Sequence, residues 1–548
     1  MNFKKFFGAA LLAVMAFAGT MVQAQSLSNS TKWHWEKGTI VVDTPERPAG
    51  QEHVLNLAVA PIKTVRVAFV GLGMRGPWAV MRFAHIPGVE IVALCDYEYA
   101  RAEACQKYLR DKGLIPADIY CGEKGYEELC KRPDIDLVYV ATDWNHHYPV
   151  AKCAMENGKH AAIEVPSVMN LEQCWSLIDL SEKTRLHCFI LENCCYDYYE
   201  MNALNMAQQG VFGEVIRAEG AYIHALDAFW GSYWKDPADN DKDDLHWRLK
   251  YNMENRGDLY ATHGLGPVAQ CMNIHRGDRF TTLIAMDTES FFGKDFVESK
   301  TGKECKEFRN GDHTTTLMRT ARGKVVEIQH NVMTPQPYNR LFKLTGTKGY
   351  ATKYPTPEYA LSGDALKGTD APQMDNLNAH GFMNAQQKQA LEKKFYHPIL
   401  TKFGEKGREM GHGGMDYIMD ARLVYCLQNG LPLDMDVYDM AEWCCLAELG
   451  TLSMDNNCAA VAFPDFTRGH WNEVKGYQHA YSATEAETEA YADAYTAAQK
   501  EATVACNLWA LYDAVKAAPD AAAKAKAKKA YDKAVVKAEK MIAKALKK

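Results

Sequence analysis

Residues 64–76 read T-V-R-V-A-F-V-G-L-G-M-R-G, and this stretch decides the fold of the chain. The β-branched apolar run at 64–70 predicts a strand, and the G-x-G-x-x-G of Gly71, Gly73 and Gly76 follows it directly. The first glycine permits a tight turn, the second lets a pyrophosphate approach the backbone, and the third lets the next helix pack closely. The free N–H groups at the start of that helix favour phosphate. The stretch therefore predicts a dinucleotide-binding βαβ unit.

A carboxylate at the expected distance strengthens this prediction. Asp96 stands 20 residues after Gly76, at the end of a second apolar run at 89–94. A carboxylate there accepts from the ribose hydroxyls, and Tyr97 in place of an Arg favours NAD over NADP. Arg75 adds a charge-assisted phosphate contact. The rival interpretation is a tight turn followed by a strand-end cap.

The remaining periodicity predicts an α/β fold with two domains. Further short apolar runs alternate with helix-like sequence, which indicates a Rossmann-type doubly wound parallel sheet; they lie at 137–141, 160–163 and 188–191. Longer mixed segments then predict an α+β second domain with an open sheet; its strands are expected at 214–223, 314–319 and 324–330, and its closing helices at 416–428 and 437–453.

The two ends of the chain differ from this pattern. Residues 1–24 combine M-N-F-K-K, an apolar run and V-Q-A, which predicts a secretion signal cleaved after Ala24 and an exported, periplasmic protein without a stable membrane span. Residues 25–60 are interpreted as an arm, 61–193 as the NAD-binding domain and 194–470 as the substrate domain. Residues 471–548 form an Ala- and Lys-rich helical tail, broken near Pro519, whose basic end is more simply a solvated face than a contact with an acidic surface.

Composition excludes several classes of function. The 548 residues are 47% hydrophobic and carry a net charge of −7, which favours a small-molecule partner over nucleic acid. Of the 16 cysteines, Cys194-Cys195 and Cys444-Cys445 are adjacent pairs and others, such as Cys95, Cys153 and Cys188, lie in apolar runs, so most are expected to be buried core residues. No C-x-x-C or H-E-x-x-H occurs in the sequence, so we expect no metal site.

Three further segments carry a family resemblance. They are A-T-D-W-N-H-H at 141–147, A-A-I-E-V-P at 161–166 and L-E-N-C-C-Y at 191–196. In order and position they resemble the glucose–fructose oxidoreductase/inositol dehydrogenase superfamily, in which the Lys of E-K-P serves the hydroxyl being oxidised. Val165 stands in the place of that Lys, and an aliphatic side chain cannot accept a proton. The superfamily's D-x-G-x-H is also altered, since Leu259 stands four residues before His263.

A second set of motifs narrows the resemblance. W-R-L at 247–249, Y-A-T-H-G-L-G-P at 260–267, P-Y-N-R at 337–340 and G-H-G-G-M-D-Y at 411–417 are similar to glycoside hydrolase family 109, the NAD-dependent α-N-acetylgalactosaminidases. The resemblance covers about residues 60–465. It implies NAD contacts by the glycine loop and by Met74, Arg75, Asp96, Trp144, Asn145, His146, His147, Glu164, Val165 and Asn193. It implies sugar contacts by Tyr222, Arg248, Tyr260, Ala261, Thr262, His263 and Tyr338.

The resemblance also implies a mechanism without net redox change. Transient oxidation at C3 acidifies the C2 hydrogen, the group at C1 leaves, water adds, and C3 is reduced again. His263 is the candidate for accepting the hydroxyl proton, and Tyr196 or Tyr260 for the C2 base if Arg248 lowers its pKa. The glycines at 264 and 266 are expected to leave backbone room for a ligand beside His263. Taken alone, without its motif, each residue favours a structural interpretation, with Tyr222 and Tyr338 as packed aromatics and Arg248 as a surface ion pair.

Two other functions share the same motifs. One is a sugar or inositol dehydrogenase with net oxidation of a hydroxyl, and the other is a non-catalytic sugar-binding protein that keeps NAD as a structural ligand. The sequence leaves the anomer, the aglycone and a homo-oligomeric state open.

Overall fold

The computed structural model describes residues 31–227 and 245–547. The proposed secretion signal at 1–24 lies outside the described residues. Two sheets dominate the structure: a six-stranded parallel sheet and a ten-stranded mixed sheet.

The parallel sheet has the strand order expected of a dinucleotide-binding fold. From one edge to the other its strands are Asp118–Cys121, Val89–Asp96, Val65–Val70, Leu137–Val140, His160–Ile163 and Cys188–Ile190. The helices between them are Arg75–Phe83, Tyr99–Asp111, Gly125–Cys130, Trp144–Glu156 and Leu171–Thr184. The strand order reverses between Val65–Val70 and Leu137–Val140, and such a switch point opens a crevice at the carboxyl ends of the strands. The predicted Rossmann sheet is confirmed, with Asp118–Cys121 as an additional edge strand.

The mixed sheet draws strands from three parts of the chain. In spatial order they are Trp33–Glu36, Thr39–Val42, Val461–Ala462, Phe280–Asp287, Thr314–Thr320, Val325–Asn331, Val215–Ile223, Lys343–Gly346, Gly349–Thr352 and Glu358–Leu361. The interpretation of residues 25–60 as an arm is therefore wrong for 33–42, which form a hairpin at the sheet edge. Lys37 and Gly38 both have positive φ in its two-residue turn, at 49° and 81°.

Helices close the second part of the chain and lie against both sheets. They are Tyr198–Gln208, Trp247–Glu254, Thr262–Cys271, Phe292–Thr301, Ala385–Lys394, Pro398–Glu409, Met415–Asn429, Val437–Cys444 and Leu446–Asp455. The single helix predicted at 437–453 is interrupted at Cys445. Helix Thr262–Cys271 lies directly on strand Val215–Ile223, because a Cβ at Gly264 would stand 2.3 Å from Ala221 N.

The C-terminal tail is a packed helical unit. Its helices are Glu485–Ala505, Leu508–Lys516 and Ala521–Ala545, so the predicted break near Pro519 is joined by a second at Asn507, where φ is 53°. The tail contacts the outer side of the parallel sheet: Tyr495 donates to Glu90 at 2.6 Å, and Trp509 Nε1 donates to Leu114 O at 2.9 Å. Tertiary burial rather than helix propensity alone therefore holds the tail.

The cysteines behave as core residues. All 16 are free, and 13 of them are buried. Among the described helices, none has the length and hydropathy needed to cross a bilayer.

Candidate functional site

A cavity of about 900 Å³ opens at the switch point of the parallel sheet. It extends from the glycine loop to the helix that begins at Trp247. Residues predicted to contact NAD or sugar that line it are Gly71, Gly73, Met74, Arg75, Asp96, Trp144, His146, His147, Glu164, Val165, Arg248 and Tyr260. The structure therefore brings most of the predicted NAD residues to one cavity of ligand size.

The glycine loop has the geometry that a dinucleotide requires. Gly71 has φ 90°, and a Cβ there would stand 2.5 Å from the backbone of Ala141. A Cβ at Gly76 would stand 2.0 Å from Gly71 O, so only glycine lets the helix start this close to the strand. The backbone cradle at the start of helix Arg75–Phe83 is thus open to a pyrophosphate, and the residues present fit NAD.

Asp96 combines the two roles that the sequence left open. It lines the cavity at the end of strand Val89–Asp96, while its carboxylate accepts from Leu72 N at 2.6 Å and from Glu98 N at 2.9 Å. It therefore fixes the glycine loop from within the crevice. The remaining lone pairs of a carboxylate can still accept from ribose hydroxyls.

Arg75 is held by two carboxylates that are far apart in the sequence, those of Glu164 and Asp416. Its guanidinium lies 3.2 Å from Glu164 and 3.1 Å from Asp416. Asp416 also accepts from Asn193 Nδ2 at 2.5 Å and from Arg82 at 3.5 Å. Burial would raise the pKa of Asp416, but Arg75 and Arg82 hold it well below its usual value. Sequence reasoning missed Asp416, although it stands in the G-H-G-G-M-D-Y motif.

Asn193 and Asn145 do not line the cavity. Asn193 is buried and oriented by Asp416, so it supports the site from behind. Asn145 is exposed on the first turn of helix Trp144–Glu156, where its backbone N–H bonds to the N-cap Asp143. The inclusion of Asn145 among the NAD contacts is not supported by this placement.

The two histidines of that helix have different environments. His147 is buried between the carbonyl oxygens of Pro166 and Thr142, at 2.8 and 3.1 Å, and so ties two strand-end loops together. Burial lowers the pKa of His147. His146 Nδ1 lies 2.5 Å from Asp143, and that hydrogen bond raises the pKa of His146.

Aromatic rings surround the guanidinium of Arg248 at the inner end of the cavity. The guanidinium lies 4.3 Å from the ring centre of Tyr260, 5.0 Å from that of Trp144 and 5.7 Å from that of Tyr222. Arg248 is buried, so its interpretation as a surface ion pair is wrong. Tyr260 also contacts His263, with ring centres 4.9 Å apart. Arg248 and aromatic faces together are suited to a polar ring such as a sugar.

The other predicted sugar residues lie around this cluster. Tyr338 is 41% exposed and its ring centre is 6.5 Å from that of Tyr222. Ala261 and Thr262 begin helix Thr262–Cys271 and are buried, so they contribute backbone rather than accessible side chains.

His263 pairs with a carboxylate that the sequence analysis did not single out. Its Nδ1 lies 2.7 Å from Glu192 Oε1, and the Glu192 side chain is fully buried while that of His263 is 12% exposed. Burial would raise the pKa of Glu192, but His263 and the Cys194 N–H lower it. Glu192 could have been found from the sequence because it is a charged residue just beyond a fully buried apolar strand, Cys188–Ile190.

Three expectations about the reacting groups need correction. Tyr196 is buried away from the cavity lining, and its hydroxyl donates to Asp434 at 3.0 Å, so it is not placed to act as a base. The pKa of Tyr260 is raised well above its usual value because burial outweighs the charge of Arg248. The space beside Gly264 is filled by strand Val215–Ile223, so this glycine serves packing and leaves no room for a ligand.

Among the residues that the structure describes, two clusters of side chains have potential metal-ligand atoms within 4.8 Å of one another: His53, His470 and Glu473, and Glu192, Cys194 and His263. The first is a set of ion pairs, at 3.0 and 2.5 Å. In the second, His263 Nδ1 is engaged by Glu192, and burial raises the pKa of the Cys194 thiol well above its usual value. Hydrogen bonding accounts for both arrangements.

Comparisons with known proteins agree with this geometry. A family model described as the C-terminal domain of glycosyl hydrolase 109 matches residues 196–473, and one described as an oxidoreductase family with an NAD-binding Rossmann fold matches residues 65–191. Glycosyl hydrolase family 109 protein 3 of Phocaeicola vulgatus is 77% identical over 98% of both chains. Glycosyl hydrolase family 109 protein 1 of Bacteroides thetaiotaomicron is 56% identical over 81% of this chain and 93% of its own.

Solved structures show the same fold at low identity. A levoglucosan dehydrogenase in complex with NADH and L-sorbose has a TM-score of 0.54 at 17% identity, covering 74% of this chain and 100% of that chain. The protein described here is an NAD-binding enzyme with the fold of the glucose–fructose oxidoreductase/inositol dehydrogenase superfamily. Within it, the chain belongs to glycosyl hydrolase family 109.

Proposed function

We propose that this enzyme hydrolyses terminal α-N-acetylgalactosaminides and recycles its NAD in every turnover. The observation that supports the proposal is that an aliphatic Val165 lines the cavity while His263 lies next to Tyr260, which also lines it. Val165 lines the cavity where the superfamily's Lys would stand, and His263 supplies a titratable group beside the aromatic cluster. The finer assignment of substrate rests on the motifs shared with the family.

Separate groups of residues would bind NAD, bind the sugar and transfer the proton. The glycine loop and Asp96 would hold NAD, while Arg248 and the rings around it would hold the sugar. When bound, NAD supplies reversible hydride transfer at C3, which makes the C2 hydrogen acidic enough for the C1 substituent to leave and water to replace it. His263 accepts the C3 hydroxyl proton and later returns it, because Val165 cannot.

We retain Tyr260 as a sugar contact rather than as the C2 base, because burial raises its pKa well above the usual value. Arg248 lies 4.3 Å from its ring, and its charge offsets only part of the rise in pKa caused by burial. Oxidation and elimination of this kind need no pair of carboxylates flanking the anomeric carbon, unlike most glycosidases.

We also propose that the protein is exported and that the folded enzyme carries tightly bound NAD. The N-terminal segment at 1–24 has the charge and apolar order of a secretion signal, and an enzyme that regenerates its cofactor has no need of an external pool. Purified protein should therefore release NAD on denaturation. Recovery of no nucleotide, with activity that depends wholly on added NAD, would contradict this.

A panel of nitrophenyl glycosides tests the activity. The protein is incubated with α- and β-linked N-acetylgalactosaminides and N-acetylglucosaminides, with and without added NAD, and nitrophenol and NADH are measured together. We expect nitrophenol from the α-N-acetylgalactosaminide without accumulation of NADH. Stoichiometric NADH without nitrophenol would instead indicate a net dehydrogenase, and neither product would indicate a binding protein.

A further inference from the structure

We propose that Glu192 is a positioning residue that holds His263 in the one tautomer able to accept a proton from the sugar. The inference rests on the proposed function, because it assumes that His263 receives the C3 hydroxyl proton. It adds a residue on which the imidazole depends and which touches neither sugar nor NAD.

Two elements bring the carboxylate and the imidazole together. Glu192 follows strand Cys188–Ile190 and caps the short helix Asn193–Tyr196, where it accepts from Cys194 N at 3.0 Å. His263 stands in the first turn of helix Thr262–Cys271 and meets Glu192 Oε1 at 2.7 Å. The carboxylate is thus fixed by backbone before it meets the ring.

Gly266 makes room for this approach. It lies three residues after His263 on the same helix, and a Cβ there would stand 3.1 Å from Glu192 Cγ and 3.0 Å from the Trp443 ring. Within the G-L-G-P motif, Gly266 therefore leaves space for the buried carboxylate of Glu192, and Gly264 leaves space for strand Val215–Ile223.

The charge state of Glu192 decides the tautomer of His263. The carboxylate is ionised, since His263 and the Cys194 N–H lower its pKa despite burial, and an ionised carboxylate only accepts hydrogen bonds. The imidazole must therefore donate from Nδ1. A neutral imidazole carries a single N–H, so Nε2 keeps its lone pair and can act as a base.

The same contact stabilises the product of the proton transfer. As the O–H bond at C3 breaks, its proton moves to Nε2 of His263, whose ring becomes an imidazolium. The hydride from C3 would pass to the nicotinamide of the bound NAD. The buried negative charge of Glu192 lies 2.7 Å from that cation and is not itself protonated. A fixed carboxylate of this kind orients a catalytic histidine and supports its cationic form.

The chain offers a matched control outside the cavity. Glu442 pairs with His275 at 3.1 Å, and each side chain is only 1% exposed. A substitution of Glu442 removes a buried Glu–His ion pair, and neither of its residues lines the cavity. It therefore measures what the loss of such a contact costs in folding alone.

The experiment compares Glu192→Gln, Glu192→Leu and Glu442→Leu in the full-length protein. Each is labelled with ¹⁵N-histidine, and the Nδ1 and Nε2 signals of His263 are assigned by their absence in His263→Gln. Initial rates on the α-N-acetylgalactosaminide, bound NAD and the melting temperature are measured on the same samples. Gln can still accept from Nδ1, whereas Leu cannot, so the two variants separate hydrogen bonding from charge.

We expect wild type and Glu192→Gln to carry the proton on Nδ1, and Glu192→Leu to lose that preference. We expect kcat of Glu192→Leu to fall by about 10²–10⁴-fold with KM and NAD content unchanged, and kcat of Glu192→Gln to fall less. Glu442→Leu should lower the melting temperature and leave kcat unchanged.

Two results would overturn the inference alone: an unchanged Nδ1 proton in Glu192→Leu, or a kcat for that variant equal to that of Glu442→Leu. A wild-type protein that turns over no glycoside would instead contradict the proposed function. In that case His263 accepts no proton from a sugar, and Glu192 has no such transfer to support.

Discussion

Replacement of Asp416 by Asn should destabilise the protein and loosen its hold on NAD. The Asp416 side chain is only 4% exposed, and it accepts from Arg75, Arg82 and Asn193. Loss of the charge leaves the buried guanidinium of Arg82 and the partly buried guanidinium of Arg75 without this carboxylate. Because Arg75 lines the cavity and Asn193 supports it, the damage reaches the NAD site.

The magnitude follows from the cost of breaking a buried ion pair. Removing one partner of such a pair costs about 3–5 kcal/mol, which for a chain of this size is a fall in melting temperature on the order of 5 °C. The pKa of Asp416 is held below its usual value, so its contribution is present above the unfolded pKa of about 3.9 and disappears as pH falls below it. The difference between mutant and wild type should therefore be full at neutral pH and shrink in acid.

Asp420→Asn, one turn further along the same helix, is the matched control. Burial raises the pKa of Asp420 to about 7, so its ionised form contributes less to the folded state than that of Asp416, and Asp420→Asn should lower the melting temperature less even though Asp420 pairs with Arg82 at 2.6 Å. Melting temperature and NAD released on denaturation are measured for both variants at about pH 8. Equal melting temperatures and equal NAD content for Asp416→Asn and wild type would refute the reasoning.

Three further predictions concern single residues of the site and its support. Asp96→Ala should weaken NAD binding by about 1.5–3 kcal/mol in calorimetric titration, and unchanged affinity would leave Asp96 only a cap. Burial raises the pKa of Asp258 to about 7, so the folded wild type loses stability as pH rises from about 4 to about 7. The melting temperature of Asp258→Asn relative to wild type should increase between about pH 5 and about pH 8, and a constant difference would contradict this. His263→Ala should lower kcat by about 10²–10⁴-fold while Val165→Ala is far milder, and comparable rates for the two variants would argue against His263 as the base.

The parallel sheet was predictable because its signals are local. Each strand is a short apolar run, and Gly71 and Asp96 stand at fixed distances from the first two strand ends. The hairpin at residues 33–42 was missed because its first strand, W-H-W-E, has only four residues and is mostly exposed, which is too short for a clear periodic pattern. Its Lys37-Gly38 turn was the available signal.

The site residues that belong to shared motifs were predictable, whereas the buried carboxylates that support them were not. Arg248, Tyr260 and His263 were found through shared motifs, and the structure places them together. Glu192 and Asp416 were missed because each acts through partners distant in sequence, His263 at 71 positions and Arg75 at 341. Sequence periodicity carries no information on such pairs.

Tyr196 shows the opposite failure. It stands beside motif residues in the chain, yet its side chain points to Asp434 rather than to the cavity. Adjacency in sequence fixes the position of a backbone but not which side of a short helix a ring occupies.

The central claim is a transient ketone at C3, and the hydrogen at C2 tests it most directly. Wild-type enzyme is given an α-N-acetylgalactosaminide in deuterated water, and the released sugar is examined by NMR and mass spectrometry. Removal and return of the C2 proton predicts product carrying deuterium at C2, with no net NADH. Product that retains its original hydrogen at C2, formed at the same rate by His263→Ala, would contradict the mechanism.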